Sequence, residues 1–244
     1  MNKKFFPFIV MVALFSAIFI SCDKEKGFTV SGTIIGEGAD WDNVSVTYED
    51  PLIWLLEDRD PIWVASAPIS NGKFSIELPT PEAKYLQPVT EGMPSPIEGM
   101  PPQIKVSDKT AKGAAAQICA LEIAEINGGT LEGVATLVLG TFKAIPPSMS
   151  IVQYMYVDKK VNITGTFDEM ILDIPGKFTF DMKMKKGWNT VVLTTTMSST
   201  GITATYKTGA VPSDAVWTTE FGMGMGVPNL ETLLSKVVSM SREL

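Results

Sequence analysis

The 244-residue chain contains no histidine and only two cysteines, and just 19% of its residues are charged. Without an imidazole there is no Ser-His-Asp or Cys-His nucleophile system, and the usual ligand set of catalytic zinc and many non-haem iron sites is missing. Lys and Arg number 20 against 27 Asp and Glu, giving a net charge of −7 with no basic cluster. Nucleic acid, which is bound through Lys/Arg contacts that release counterions, is therefore not an expected partner. Two cysteines cannot make a disulfide framework. What is present is enough for a core: 45% of residues are hydrophobic, with 20 Gly and 16 Pro as punctuation, so the composition is that of a folding chain.

The amino terminus has the layout of an export signal. Lys3 and Lys4 precede an apolar stretch, Phe5 to Ile20, broken only by Pro7 and Ser16. This is shorter than the about 20 apolar residues that span a bilayer comfortably. The stretch ends in Ile20-Ser21-Cys22, which resembles a bacterial lipobox, although Phe19 stands where an aliphatic residue is usual. The resemblance implies cleavage before Cys22, acylation of that residue with chains such as palmitate, and tethering to a membrane. Loss of residues 1–21 removes two lysines and no acid, moving the net charge from −7 to −9. The tether Asp23-Lys24-Glu25-Lys26-Gly27 is loosely similar to the charged tails of exported lipoproteins of the Bacteroidota. That similarity implies the outer membrane, at its periplasmic face or on the cell surface.

With Cys22 acylated, Cys119 is the remaining thiol. It lies in the apolar run Ala114 to Ala124, without neighbouring cations to lower its pKa, and is expected to be a small buried hydrophobe.

The mature chain reads as mainly β. Phe28 to Ile34, Val44 to Tyr48 and Lys73 to Leu78 alternate apolar and polar residues, with Asn71-Gly72 as a hairpin turn before the last. This arrangement resembles carboxypeptidase regulatory-like β-sandwich modules, which implies a spacer without an active site. Residues 79–113 hold seven prolines and read as an irregular connection.

Beyond it, Leu131 to Phe142, Ile151 to Val157, Val161 to Phe167, Lys177 to Met184, Trp188 to Thr195 and Ile202 to Tyr206 alternate again. Their turn signals are Asn127-Gly128-Gly129, Asp158-Lys159-Lys160 and Lys185-Lys186-Gly187. The runs Tyr156 to Thr166 and Met184 to Asn189 resemble a pattern in lipoproteins of the same phylum, and no activity comes with it. Ala114 to Ile126 suits a helix by propensity and a strand by alternation; its β surroundings favour the strand. Asn229 caps a stripe of Leu230, Leu233, Leu234, Val237 and Val238, which predicts a short amphipathic helix.

The expected organisation is thus a signal peptide (1–21), a tether (22–27), an N-terminal β-sandwich domain (28–90), a Pro-rich connection (91–113), a C-terminal antiparallel β domain, sandwich or barrel-like (114–221), and a Gly/Met connector with a terminal helix (222–244).

Candidate chemistry is sparse. Asp50-Pro51-Leu52-Ile53-Trp54 is echoed by Asp60-Pro61-Ile62-Trp63, and Trp41 lies between Asp40 and Asp42. Aromatic faces stack on sugar C–H surfaces while carboxylates accept from hydroxyls, so Trp41, Trp54, Trp63, Asp58 and Asp60 form a candidate ligand-binding set. Buried tryptophans that anchor a sandwich are the competing interpretation. A glycoside hydrolase would need two carboxylates facing across a cleft, and no signature pair is present. Neither acidic run follows a calcium-loop spacing. No catalytic residue, metal or cofactor is expected. The expected function is that of a lipid-anchored cell-envelope protein with a non-enzymatic binding or structural role. Two alternatives are a glycan-binding accessory lipoprotein and an anchor or assembly subunit of a surface polymer, so a polysaccharide and an envelope protein are both expected partners.

Overall fold

A computed structural model describes residues 27–48, 62–91, 101–126, 129–144, 147–171 and 174–219. The signal stretch, Cys22, Trp54, Asp58, Asp60 and the expected terminal helix lie outside the described residues. The chain is mainly β. Alternation becomes strand as expected: β1 (Phe28–Ile35), β2 (Asn43–Thr47), β3 (Ala65–Pro68) and β4 (Lys73–Leu78) come first. Two short strands follow, β5 (Gln87–Pro88) and β6 (Lys105–Val106). Then come β7 (Lys112–Ile126), β8 (Gly129–Thr136), β9 (Val138–Ala144), β10 (Pro147–Val157) and β11 (Val161–Ile171). The last four are β12 (Ile174–Met184), β13 (Gly187–Ser198), β14 (Gly201–Thr208) and β15 (Val216–Thr218). The ambiguous run from Ala114 is strand, because its backbone pairs with β10, β2 and β8 in succession.

These strands make one large open mixed sheet network. The main path runs β4-β1-β15-β9-β10-β13-β14-β12-β11-β6, with β3-β2-β7-β8 branching from it. Two pairs are parallel, β1 with β15 and β12 with β14. The segments expected as separate domains are stitched together, since β1 pairs with β15 and β2 with β7.

Two buried clusters fill the interior. One gathers Val30, Ile34, Val44, Val46, Phe74, Ile76 and Leu78 with Ile118, Leu139, Val152, Tyr154 and Trp217, so it draws on both halves of the chain. The other gathers Met155, Val161, Ile163, Phe167, Phe178, Phe180, Met182, Met184 and Tyr206. Val89, Ile104 and Ala111 of the Pro-rich connection also belong to it. Ahead of β7 its described parts hold only a 3-10 turn and two short strands, yet they cover apolar sheet.

Three local features depart from plain alternation. Asn71 and Gly72 both have positive φ (52° and 70°), and Ser70 and Lys73 exchange backbone hydrogen bonds around them, the two-residue turn that Asn-Gly favours. The expected strand from Leu131 to Phe142 is broken. Leu137 is buried, its N–H donates to the Ile118 carbonyl at 2.8 Å, and the chain then leaves β7 to join β10 as β9.

The turn at Lys185-Lys186-Gly187 joins strands that are not neighbours, because β14 lies between β12 and β13. A turn that wide lacks the usual hairpin bonds, and Asn189 replaces them. Its Oδ1 accepts from the Lys185 N–H at 2.9 Å, and its Nδ2 donates to the Lys185 and Gly187 carbonyls at 2.8 Å each.

Candidate binding face

Of the tryptophans singled out by sequence, Trp41 follows a 3-10 turn (Glu37–Asp40) and packs half-buried against the core shared by both halves. Trp63 is half-buried just before β3. The structure brings a different tryptophan to a concave surface. Trp188, at the start of β13, borders a hollow of about 440 Å³ with Phe28, Glu77, Thr80, Tyr156 and Lys186. Its ring centroid lies 5.6 Å from Tyr156, 6.0 Å from Tyr48 and 6.3 Å from Phe28. The Tyr48 hydroxyl donates to the Pro79 carbonyl at 2.6 Å, and burial, with Tyr85 adding to it, holds its pKa well above the usual phenol value. The indole N–H of Trp188 is buried without a hydrogen-bond partner, a costly state for a donor.

Side chains alternate across a strand, and on β10 to β14 one parity enters the second cluster. Phe178, Phe180 and Met182 of β12, and Ala204 and Tyr206 of β14, face inward. The other parity is divided: Val152 and Tyr154 of β10 enter the first cluster, with Val192 of β13 packed against it, while beyond them the rows toward β14, β12 and β11 reach the surface. Register places Thr166, Thr179, Thr205, Thr194, Ser150 and Thr141 directly opposite one another across β11, β12, β14, β13, β10 and β9. Six strands thus contribute one unbroken row of hydroxyls.

Hydroxyls continue in the next row as Thr203, Thr196 and Ser148, flanked by Asp168, Lys177 and Lys143. Neighbouring hydroxyls are 3.0 Å apart at Ser150 and Thr194, and 3.3 Å apart at Thr166 and Thr179. Thr166 and Thr203 are exposed, Thr179, Thr194, Thr205 and Ser150 half-exposed, and Thr141 at the β9 end is buried. A second hollow, of about 540 Å³, closes the far end between Asp168, Lys177, Ser198, Thr200 and Thr203. Along β13 this face reads Trp188, Thr190, Val192, Thr194, Thr196. Its alternation is legible in the sequence, but the hydroxyl row is not, because it exists only once β14 is placed between β12 and β13.

Cys119 has no exposed surface, and burial pushes its thiol up to about 11 despite a hydrogen bond with Thr136. Among the described residues no three potential ligands cluster as a metal site would require, and no helix is long and apolar enough to cross a membrane. Comparison with protein-family models, curated proteins and solved structures finds no match to this chain.

Proposed function

We propose that the protein is a lipid-anchored component of the cell envelope that binds a glycan without transforming it. The observation that carries the binding role is the hydroxyl-lined sheet face with Trp188 at one end. Hydroxyls donate and accept at once, matching sugar hydroxyls, while a half-buried aromatic offers apolar surface to a sugar ring. The anchor rests on Ile20-Ser21-Cys22 behind the apolar stretch. Acyl chains contribute about 0.8 kcal/mol per buried CH2, so two or more hold firmly. β1 begins six residues after Cys22, a reach of roughly 20 Å at full extension, which keeps the scaffold close to the outer membrane on either its periplasmic or its outer side. The layering of β3-β2-β7-β8 over β4-β1-β15-β9 across the shared core supports a sandwich-like unit at the N-terminal end. Residues 229–238 suit a short amphipathic helix.

Two measurements test this. Metabolic palmitate labelling is expected in the wild-type chain and absent in Cys22→Ala; label that persists in the variant removes the anchor at Cys22. Affinity electrophoresis through a broad polysaccharide panel is expected to retard the wild-type protein and to do so less for Trp188→Ala. No retardation by any polymer removes the glycan role.

One observation favours a second reading. Among the described strands β8 pairs only with β7, and an open edge is where a partner strand adds. An assembly or anchor subunit for a surface polymer would use it, and crosslinking from Val134→Cys, an exposed position on β8, in the intact envelope would capture that partner.

A further inference from the structure

Building on the glycan reading, we infer that the hydroxyl-bearing surface from Thr166 of β11 to Ser150 of β10 takes an acidic polysaccharide, one carrying carboxylate or sulfate groups. The first argument is preorganisation. The opposite side of the same strands is packed into a buried core, so the hydroxyl row stands on a fixed backbone. Threonine is stiff about χ1, and the contacts at Ser150–Thr194 and Thr166–Thr179 hold neighbouring hydroxyls in place. A hydroxyl has one donor and two acceptor positions, so each retains capacity for a ligand, and little side-chain freedom is lost on binding.

The second argument is charge. Partners in a ladder share a face, so register puts Lys105 beside Thr164, Lys143 beside Ser148, and Lys177, Lys183 and Lys207 on this same side. Against these five ammonium groups stand Asp168 and Asp181 on the strands, the latter 3.3 Å from Lys183, with Glu169 lining the second hollow and Glu77 lining the first together with Lys186. The chain as a whole carries −7, so the sign is reversed locally, and such a patch concentrates an anionic ligand.

The third argument is shape. From Thr166 on β11 to Ser150 on β10 the row crosses five strands, roughly 19 Å at about 4.8 Å per strand, long enough for several sugars in a row. Adjacent strands turn by about 20–25° relative to one another, so a rigid planar lattice would touch few strands at once. A chain free to rotate about its glycosidic bonds can follow the twist. Hydroxyls outnumber charges in the central rows, which fits a sugar polymer with spaced acidic groups.

The experiment is affinity electrophoresis of the full chain in detergent micelles through gels containing alginate, polygalacturonate or chondroitin sulfate, beside a dextran gel. Mobility is referred to a polymer-free gel. Retardation by at least one acidic polymer and not by dextran is expected. It should weaken about tenfold in Lys177→Glu/Lys207→Glu and in raised salt. Lys73→Glu, an exposed lysine on β4 at the opposite end of the strand order, is expected to bind as wild type. A Thr194→Ala/Thr205→Ala variant with wild-type circular dichroism should bind more weakly as well, separating the hydroxyl row from charge alone. Retardation by dextran alone overturns the acidic class and leaves glycan binding standing. Acidic retardation untouched by either double variant overturns the face as the site. No retardation in any gel overturns both, while palmitate labelling at Cys22 reports on the anchor independently.

Discussion

Trp217 lies on a strand of three residues near the end of the described chain, yet it joins the two halves. Its indole is only 4% exposed and packs against Phe74 at 5.3 Å, edge to face, and Tyr154 at 6.4 Å, stacked. Its strand pairs in parallel with β1 and antiparallel with β9. Replacing it with alanine removes about 200 Å² of buried apolar surface, or about 5 kcal/mol at about 25 cal/mol/Å² as an upper bound. Measured large-to-small aromatic losses of about 3–5 kcal/mol agree with that bound. Urea unfolding of the full chain followed by far-UV circular dichroism is the assay. Trp217→Ala should lower the midpoint through a loss of about 3–5 kcal/mol, in one transition that takes residues 28–78 and 112–218 together. A loss below about 1 kcal/mol, the size of an ordinary surface change, would refute the shared core. So would an N-terminal segment that unfolds on its own with its stability unaltered.

Gly32 tests the same contact from the other side, because a Cβ there would meet the Trp217 indole. Gly32→Ala should cost about 1–3 kcal/mol in the same urea experiment. Gly165 has φ 147°, and a Cβ there would run into the Gln103 carbonyl; Gly165→Ala should lower the thermal midpoint by several degrees, whereas Gly209→Ala, with open space around it, should not on steric grounds. Asn189→Ala removes three hydrogen bonds from the wide turn and should cost about 1–3 kcal/mol, read as a lowered urea midpoint. The Cys119 thiol pKa is raised from 9.0 to about 11 in the folded protein. The folded state therefore holds its proton where the unfolded state has lost it, so this contribution to stability is full below pH 9 and declines as pH rises toward 11. Thiol titration at pH 8 should find Cys119 inert until denaturant is added, and denatured protein from the membrane fraction should then show one reactive thiol, against two if Cys22 is not acylated.

Local alternation reached far into this fold. A side chain's parity follows from its position on the strand, so β4, β11, β12 and β14 could be read with their inner and outer faces from residues such as Phe178, Phe180 and Met182 against Lys177, Thr179 and Asp181. Asn71-Gly72 specified its turn because both positions need positive φ, which these two residues tolerate. The three-residue strand at Trp217 escaped because so short a segment has no period to detect. Trp188 could be assigned to a strand but not to a site, since its neighbours Phe28, Tyr48 and Tyr156 come from three other parts of the chain.

By itself, then, the sequence determined a β protein, the placement of most strands, the two faces of each, the buried character of Cys119, and the exclusion of imidazole chemistry, all properties of residue type and short-range spacing. Tertiary structure alone decided which strands are neighbours. The insertion of β14 between β12 and β13 and the parallel pairing of β1 with β15 depend on contacts between residues far apart in the chain. No local period encodes such contacts, because any strand of suitable pattern can satisfy an open edge and packing of the whole selects among them. The row of hydroxyls from Thr166 to Thr141 exists only as a consequence of that choice.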